Sequence, residues 1–508
     1  ILFALTTLIS ITLVGNYLSE KAKALRGEAL AMEQKNRVLE INRHLSDSLT
    51  VTVKSKQEIE ADAIAAKSKA LLAQQEAQVA GRTAGIAVKA MKEAEVKAGE
   101  ASRKRMISVG KSLAVRSVNF QDNIELQSLL AYQGYLFNSR FGGYANDADI
   151  FSAFYAISKK TGNRFYSVNE TGNRNLVSMA MSPDGKFMFA SDKNGNVFQW
   201  NGTRPDMKGK TILSGSRVVS SLAVSPDGTW LACGTDKSRI IMLPLTDGVK
   251  SYELAGDNDA IFNSLAYSHD GKILYASTHE GQISEWHFAE RMEKSYRLSD
   301  LRIKSIDISP DNKMLAALSS DGKAVIVPTD FSSQPRIIGT GEDRITALGF
   351  VPWNNRILLG HEAGLIEIWD FNQSRAVDIV EAHKGAVMLF AFATDIRQMA
   401  SAASDGVIKL WSEDTMIQPP VTITDNQAQV SFLGYTTSDL SFLATATNGT
   451  IIQRPAQVAM MSGPVCSNIT RNLTPEEWEA YVGEDIPYEK TCDGHGPKIK
   501  VNHIESSE

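Results

Sequence analysis

The sequence has few cysteines and no motif of an enzyme. Cys233, Cys466 and Cys492 are its three cysteines, which are too few and too scattered for a disulfide scaffold or a four-ligand zinc site. No HExxH, GxSxG or CxxC pattern occurs. His495 and His503 lie near Cys492 as a possible metal site, although a solvated tail explains them better. We therefore predict no catalytic residues, no cofactor and no metal.

A strong excess of charge of one sign is also lacking. The 53 Lys and Arg residues nearly balance the 58 Asp and Glu residues, for a net charge of −5, and no block of like charge occurs. A protein that binds duplex nucleic acid usually carries a basic patch, so nucleic acid is disfavoured as the main partner. The otherwise ordinary composition excludes a wholly disordered or collagen-like chain.

Proline is absent between residues 19 and 117, where Ala, Lys, Glu, Gln and Arg predominate. These are strong helix formers and predict a neck of one long helix, or of two in series, about 140 Å long if straight. Apolar residues recur along it at helical spacing: Leu25, Leu30, Met32, Val38, Leu39, Ile41, Leu45 and Leu49. So narrow a stripe needs a partner helix. We predict a coiled coil that joins copies of the chain, with a helix lying along another protein as the alternative.

Charge is missing from residues 1–18 as well, since Glu20 is the first residue with a charged side chain. As a helix this segment would span about 27 Å, close to the thickness of a bilayer core. We predict a transmembrane helix over residues 1–18, whereas a secretory signal or a buried core helix would be the alternatives. The sequence starts at Ile1 and not at Met, which leads us to expect further chain upstream.

Residues 118–160 predict two amphipathic helices on either side of Gly142-Gly143. These helices would form a collar between the neck and the repeats that follow.

From residue 163 to 457 the sequence repeats itself with steps of 41 to 43 residues. The turn SPDG ends at Gly185 and at Gly228, and related turns follow in later units. The last residues of the third strand in the units are Trp200, Leu243, Trp286, Val327, Trp369, Trp411 and Arg454.

Four short strands in each of seven such units predict a seven-bladed β-propeller. The seventh unit has no obvious outer strand, and a strand at residues 163–168 has no unit of its own. We expect this N-terminal strand to complete the last blade and so to close the ring.

The repeat resembles WD40 repeats, and the sixth unit matches best. Its AHKG, MASAASDG and IKLWSED segments carry His383, Ser401, Asp405 and Trp411, which are the positions of the structural hydrogen-bond set of that family. Trp200, Trp286 and Trp369 stand at the position of Trp411 in other units. The resemblance implies that these residues hold strands together and have no catalytic role.

The tail, residues 458–508, contains RNLTPEEWEAYVGEDIPYEKTC. It resembles the C-terminal signature of bacterial WD40 proteins that carry a membrane helix, a coiled coil and an upstream STAND-type NTPase or caspase-like domain. Residues 113–157 resemble the helical connector of that group. Thr474, Pro475 and Glu477 predict a capped helix. Cys466 and Cys492 flank it, and we expect a disulfide if the compartment is oxidising, or else two free buried thiols.

Together these features predict an all-β seven-bladed WD40-like propeller preceded by a transmembrane helix and a coiled-coil neck. Its function would be that of a non-enzymatic, membrane-anchored sensor or interaction module that binds protein partners. A static scaffold subunit of a cell-envelope complex is the alternative, and a propeller hydrolase or small-ligand binder is a third class. We expect the bacterial inner membrane, with the propeller in the periplasm. Candidate contact residues in the propeller loops are Arg344, Trp353, His361 and Tyr435.

Overall fold

The computed structural model divides the chain into two compact units. One comprises residues 1–112 and 136–143, and the other residues 113–135 and 144–508. The residues that the structure describes are 2–48, 56–161, 167–170, 176–201, 209–215, 217–236, 239–256, 261–289, 292–298, 301–341, 343–412, 419–426, 428–436, 441–447 and 449–492. His495 and His503 therefore lie outside the described residues.

The first unit contains two long helices, α1 (Leu2–Ser48) and α2 (Lys56–Ser117), the latter continuing into the second unit. Gly27 of α1 lies against Ala84 of α2, because a Cβ atom built on Gly27 would be 3.4 Å from the Cα atom of Ala84. In one straight helix these residues would stand about 85 Å apart. The helices therefore fold back on each other, and the expected spacer of about 140 Å is wrong.

The contact between these helices uses small residues, and part of the predicted apolar stripe stays exposed, although Val38 and Ile41 of the stripe are half-buried. Ala24 is buried on α1, and Ala73 and Ala80 are buried on α2. The side chains of Leu25, Leu30, Met32 and Leu39 are exposed by 49–68%. Small side chains let two helix backbones approach closely, whereas these larger ones would hold them apart.

The predicted membrane helix finds no support in the structure. The side chains of residues 1–18 lie outside the described part of the chain. Within the described part, no helix combines the length and the hydropathy that a bilayer crossing requires.

Two further helices precede the propeller, α3 (Ile124–Arg140) and α4 (Ala148–Thr161). The loop between them contains Gly142, whose φ of 68° is the left-handed conformation that favours glycine. Helix α4 is strongly amphipathic, and its buried face includes Ile150, Phe151, Phe154 and Ile157. This face packs in one apolar cluster with Val421, Ile423 and Val430 of the propeller.

The described strands form seven four-stranded antiparallel sheets, which are the blades of the propeller. Blade 1 consists of β2 (Leu176–Met181), β3 (Phe187–Asp192), β4 (Val197–Asn201) and β5 (Lys210–Leu213). Blade 2 consists of β6 (Val219–Val224), β7 (Trp230–Thr235), β8 (Arg239–Pro244) and β9 (Tyr252–Ala255). Blade 3 consists of β10 (Phe262–Tyr267), β11 (Ile273–Thr278), β12 (Gln282–His287) and β13 (Met292–Arg297). Blade 4 consists of β14 (Ile303–Ile308), β15 (Met314–Ser319), β16 (Ala324–Pro328) and β17 (Arg336–Ile338). Blade 5 consists of β18 (Ile345–Phe350), β19 (Arg356–His361), β20 (Leu365–Asp370) and β21 (Arg375–Glu381). Blade 6 is β22 (Val387–Ala393), β23 (Gln398–Ala403), β24 (Ile408–Ser412) and β25 (Val421–Ile423).

Blade 7 is closed by the N-terminal strand of the propeller. It consists of β26 (Val430–Tyr435), β27 (Ser441–Ala446), β28 (Thr450–Pro455) and β1 (Ser167–Glu170), with β1 pairing to β28 as the outermost strand. The register places Ser167 opposite Gln453 and Glu170 opposite Thr450. Both ends of the propeller thus share one sheet, as the sequence predicts. Backbone hydrogen bonds between distant parts of the chain hold the ring closed.

The tail packs against the helices that precede the propeller. It contains α5 (Val458–Ser462) and α6 (Pro475–Tyr481), and α6 begins with the predicted capping box of Thr474 and Glu477. The indole of Trp478 is buried and donates to the Ile486 carbonyl at 2.8 Å.

Polar contacts join the tail to α3, and a covalent link joins the two sides of α6. Gln133 of α3 donates to Glu489 at 2.8 Å, and Arg471 lies 3.5 Å from Glu125. Cys466 and Cys492 are joined by a disulfide, and both are buried. The tail is therefore tied to α3 by polar contacts and to itself by a covalent bond.

Candidate interaction surface of the propeller

The turns between the first and second strands of blades 1 to 4 share one hydrogen-bond pattern. In blade 1, Ser182 Oγ donates to Asp184 Oδ1 at 2.7 Å and accepts from the Phe187 backbone N–H at 2.9 Å. The later turns repeat the pair of serine and aspartate, at Ser225 and Asp227, Ser268 and Asp270, and Ser309 and Asp311. Turn geometry thus explains these aspartates, and they need no role in acid–base chemistry.

The sequence of blades 5 to 7 lacks this pair of serine and aspartate at the corresponding turn. A cavity opens among blades 6, 7 and 1. It has a volume of about 520 Å³ and is lined by residues 181–184, 391–392, 394–395 and 433–436. Each of these segments includes or follows the end of an innermost strand, β2, β22 or β26. The cavity therefore lies where three neighbouring blades meet near the axis of the ring.

The floor of the cavity includes several apolar side chains. Met181, Phe392, Leu433 and Tyr435 contribute apolar surface. The Tyr435 hydroxyl donates to Gln398 Oε1 at 3.0 Å, which fixes the ring in place. A Cβ atom on Gly434 would stand 2.9 Å from Met181 Cε and 3.0 Å from Phe432 Cζ. A side chain at this position would therefore require the side chains of Met181 and Phe432 to shift.

The rim of the cavity is polar and exposed. Pro183, Asp184, Thr394 and Asp395 are exposed there. Burial acts to raise the pKa of Asp184, but hydrogen bonds from Ser182 and from the Lys186 backbone N–H lower it below the ordinary value. Lys186 Nζ lies 3.0 Å from the same carboxylate. An apolar floor with a polar, ionised rim suits a protein segment that inserts one apolar side chain between polar neighbours.

The four residues singled out in the sixth unit form one connected hydrogen-bond network in blade 6. Trp411 Nε1 donates to Ser401 Oγ at 2.9 Å, and His383 Nε2 lies 2.8 Å from the same oxygen. His383 Nδ1 lies 3.5 Å from Asp405 Oδ2, which also accepts from the Lys384 backbone N–H at 3.0 Å. Burial lowers the pKa of His383, although Asp405 opposes this. The network holds strands and turns of one blade and has no open position for a substrate.

The other tryptophans of this strand position pack without such a network. Trp200 and Trp286 are buried in the apolar clusters between blades. Trp369 is half-buried, and its Nε1 finds no hydrogen-bond acceptor among the described residues. Size and apolar area are therefore what these positions share.

Three of the four predicted contact residues are not available on the surface. His361 is 2% exposed, and its Nε2 lies 3.2 Å from Glu367 Oε2 inside blade 5. Tyr435 is 7% exposed. Trp353 is half-buried and packs edge-to-face on Phe392 at 6.0 Å. Of the four, Arg344 is exposed.

A second polar network, which the sequence reasoning missed, joins α4 to blade 7. Arg454 is fully buried in β28, and its Nη2 donates to Asp425 Oδ1 at 2.9 Å. Asp425 Oδ2 accepts from the Tyr155 hydroxyl and from Lys159 Nζ, each at 2.9 Å. The signal was present in the sequence, since Arg454 stands where other units carry tryptophan or an aliphatic residue.

Comparison with known proteins agrees with this architecture. The family profile WD40 (WD domain, G-beta repeat) matches residues 166–201, 208–240 and 374–412. These segments cover parts of blades 1, 2 and 6 together with β1 of blade 7 and β21 of blade 5, and the last one includes His383, Ser401, Asp405 and Trp411. Three segments of the chain therefore match WD40 repeats. In the described residues these segments form part of a seven-bladed propeller.

Curated relatives match only parts of the WD40 propeller. The WD repeat-containing protein 3 homolog of Dictyostelium discoideum is 27% identical over 109 residues, which are 22% of this chain and 11% of that protein. The guanine nucleotide-binding protein subunit beta-like protein of Encephalitozoon cuniculi is 24% identical over 157 residues, which are 28% of this chain and 47% of that protein. The chain thus spans less than half the length of these relatives. Both are eukaryotic and give no support to the predicted bacterial group.

A solved structure has the same fold. A chain in the crystal structure of the mitotic checkpoint complex superposes with a TM-score of 0.50 and 16% identity, over 57% of this chain and 90% of that chain. At this identity the likeness concerns the fold alone. Within the described residues, no group of three or more His, Cys, Asp or Glu side chains is placed to hold a metal ion.

Proposed function

We propose that this chain is a non-enzymatic protein-interaction module whose WD40 propeller binds a segment of a partner protein at the cavity among blades 6, 7 and 1. The single observation that carries the proposal is the form of this cavity. It combines about 520 Å³ of volume, apolar side chains at the floor and an exposed polar rim. A side chain of the partner would contact the floor, and its backbone would contact Asp184, Thr394 and Asp395 at the rim.

The closed ring supports this role. Because β1 completes blade 7, the innermost strands of blades 6, 7 and 1 are held in one continuous ring. Binding residues presented by a rigid scaffold lose little conformational entropy when a partner docks. The lining does contain one serine hydrogen-bonded to a carboxylate, Ser182 with Asp184, but both groups also bond to backbone N–H groups of their own turn. We therefore propose binding as the activity of the cavity.

A library of peptides displayed on phage tests the proposal even though the partner is unidentified. The chain would be immobilised and panned, and the enriched peptides would be synthesised and titrated by fluorescence polarisation. Thr394→Arg places a long charged side chain at the rim of the cavity. We expect it to weaken binding at least about tenfold, which corresponds to about 1.4 kcal/mol.

Thr211→Arg provides the matched control, because Thr211 is also exposed but lies on β5, the outermost strand of blade 1. We expect it to bind the peptides as the unchanged chain does. Equal loss in both variants, or no loss in either, would place the binding surface elsewhere. A failure to enrich any peptide would argue against the proposal as a whole.

We also infer that the propeller lies in an oxidising compartment. The disulfide between Cys466 and Cys492 supports this, since such bonds persist outside the reducing cytosol. Alkylation of free thiols in intact cells, followed by mass spectrometry of the purified chain, would test it. Protection of both cysteines until a reductant is added is the expected result, and alkylation without reductant would contradict it.

The finer sequence-based predictions remain proposals. They are a bacterial inner-membrane anchor over residues 1–18, a periplasmic propeller, and a sensor role in which the neck couples the propeller to an upstream effector domain. The static scaffold remains the alternative. The sequence of the gene upstream of Ile1 distinguishes the two, because a sensor requires an effector there and a scaffold does not.

A further inference from the structure

Helix α2 carries two different apolar faces. One face consists of small residues at alternating spacings of three and four, and it includes the buried Ala73 and Ala80 and the half-buried Ala77, Ala84 and Ala87. Gly27 of α1 contacts this face at Ala84. Alternating spacings of three and four place residues on one side of a helix. The small-residue face is therefore the side that α1 occupies.

The second face of α2 consists of large apolar residues that nothing in the described part of the first unit covers. It comprises Ile64, Leu71, Leu72, Val79, Ile86 and Val96, which we name the α2 stripe, and their exposure lies between 55% and 71%. At 100° per residue, all six fall within about 120° of the helix surface. Leu72, Val79 and Ile86 recur every seven residues, which is the spacing that a second helix would match.

We propose that the α2 stripe is the surface through which two copies of this chain associate, each copy covering the stripe of the other. A straight line of large side chains fits another straight helix with the same spacing, and a second copy supplies such a helix by two-fold symmetry. This inference does not rest on the binding proposed for the propeller. It also differs from the predicted coiled coil, which was based on a stripe of α1.

The area involved is sufficient for a specific dimer. Burial of six such side chains removes roughly 100 Å² each from water, or roughly 600 Å² per copy. The total of roughly 1,200 Å² lies at the lower limit of stable protein–protein interfaces. Large apolar side chains exposed in such number along one side of a helix are typical of an interaction surface.

Charged residues inside the stripe limit the strength of the association. Arg82 and Lys89 fall on the same side of α2 as Val79 and Ile86, and both are exposed. Charged side chains at such positions reduce the stability of a helix pair while they restrict its register. We therefore expect a dimer that dissociates on dilution, with a mass that depends on concentration.

The experiment is sedimentation velocity of the full chain over a range of concentrations. The expected mass at high concentration is twice the chain mass of 55.5 kDa. Ile86→Lys combined with Val79→Lys should reduce this mass twofold, because two buried ammonium groups would face an apolar partner. Ile86→Leu keeps the stripe apolar and should keep the dimer. Helix content measured by circular dichroism shows whether each variant is folded.

Ile337→Lys is the matched control, since Ile337 on β17 of the propeller is 71% exposed, as is Ile86. It should leave the dimer intact. A chain that is monomeric at every concentration overturns the inference. So does a folded Val79→Lys/Ile86→Lys variant that keeps the mass of the unchanged chain, or an equal loss of the dimer in the Ile337→Lys control.

Discussion

Blades 6 and 7 place different residues at the same strand position and use them differently. In blade 6, Trp411 donates to Ser401 and so completes a network that begins and ends within that repeat. In blade 7, Arg454 takes this position and reaches Asp425, which also binds Tyr155 and Lys159 of α4. One residue stabilises its own blade, whereas the other connects the propeller to the helix before it.

The difference shows how a repeat can be adapted without changing its fold. A tryptophan contributes apolar area and one donor, and an arginine contributes a charge and five donors. The buried charge requires a carboxylate, and Asp425 supplies it from the segment that follows β25. The last blade therefore gains a connection to α4 at the cost of dependence on one ion pair.

Breaking this ion pair should have the largest effect. Asp425→Ala leaves the fully buried guanidinium of Arg454 without its carboxylate, and we expect a loss of about 3–5 kcal/mol in the free energy of unfolding. The seven tryptophans all lie in the second unit, so denaturation followed by tryptophan fluorescence reports on that unit.

The double variant Asp425→Ala/Arg454→Met removes both charges and keeps apolar volume, and it should recover more than half of the loss. A single variant within about 1 kcal/mol of the unchanged chain would mean that the pair is not structurally important.

Removal of the disulfide should have the next largest effect on the free energy of unfolding. It tests whether the stability of the tail after blade 7 depends on the covalent bond between Cys466 and Cys492. The bond closes a segment with a sequence separation of 26 residues. Replacement of Cys466 and Cys492 by alanine should cost about 3.5 kcal/mol, because the unfolded chain regains the entropy of that loop. Cys233→Ala is the control for loss of a buried thiol outside the disulfide. An equal loss in the control would exclude the loop as the cause.

The hydrogen bond of Trp411 should contribute less. Trp411→Phe removes the donor to Ser401 together with ring volume, whereas Trp369→Phe removes the same volume and a donor without an acceptor in the described residues. We expect Trp411→Phe to cost about 1 kcal/mol more than Trp369→Phe in chemical denaturation. Equal costs would show that volume alone matters at this position.

The smallest expected effect is the pH dependence of blade 6. Burial holds the pKa of His383 below its ordinary value of 6.5, so the unfolded chain binds more protons at moderately acidic pH. Stability should therefore fall as the pH decreases from 6.5 toward the pKa of the folded state. His383→Gln should reduce the difference in unfolding free energy between about pH 7 and about pH 5.

Blade 7 should not contribute to this difference. Burial raises the pKa of Asp425, but Arg454, Lys159 and Tyr155 outweigh this and lower it below 3.8. Its stabilisation is present above that value and is lost only as the pH falls through the pKa of the folded state. An unchanged pH dependence in His383→Gln would mean that His383 is not the titrating group.

Periodicity in the sequence was sufficient for the architecture of the propeller. Steps of 41 to 43 residues, turn tetrapeptides and alternating strands predict seven blades, and the unpaired strand near residue 167 predicts the closure of the ring. The capping box of α6 could be predicted as well, because it depends on three residues close together in the chain. Such features are local or repeated, so they can be identified before any distant contact is known.

Three features could be seen only in the tertiary structure. They are the cavity, the exposure of single side chains and the packing of α1 against α2. The sequence suggested His361 and Tyr435 as surface residues, but their exposure depends on neighbouring strands that are far away in the chain. The fold-back of α1 on α2 depends on a contact between Gly27 and Ala84 across a long separation.

In this protein the sequence by itself determined which elements form and how often they repeat, since local hydrogen bonding and hydrophobic periodicity decide that. The tertiary structure alone decided which of their faces remain open to a partner, because burial is set by residues brought together from different elements.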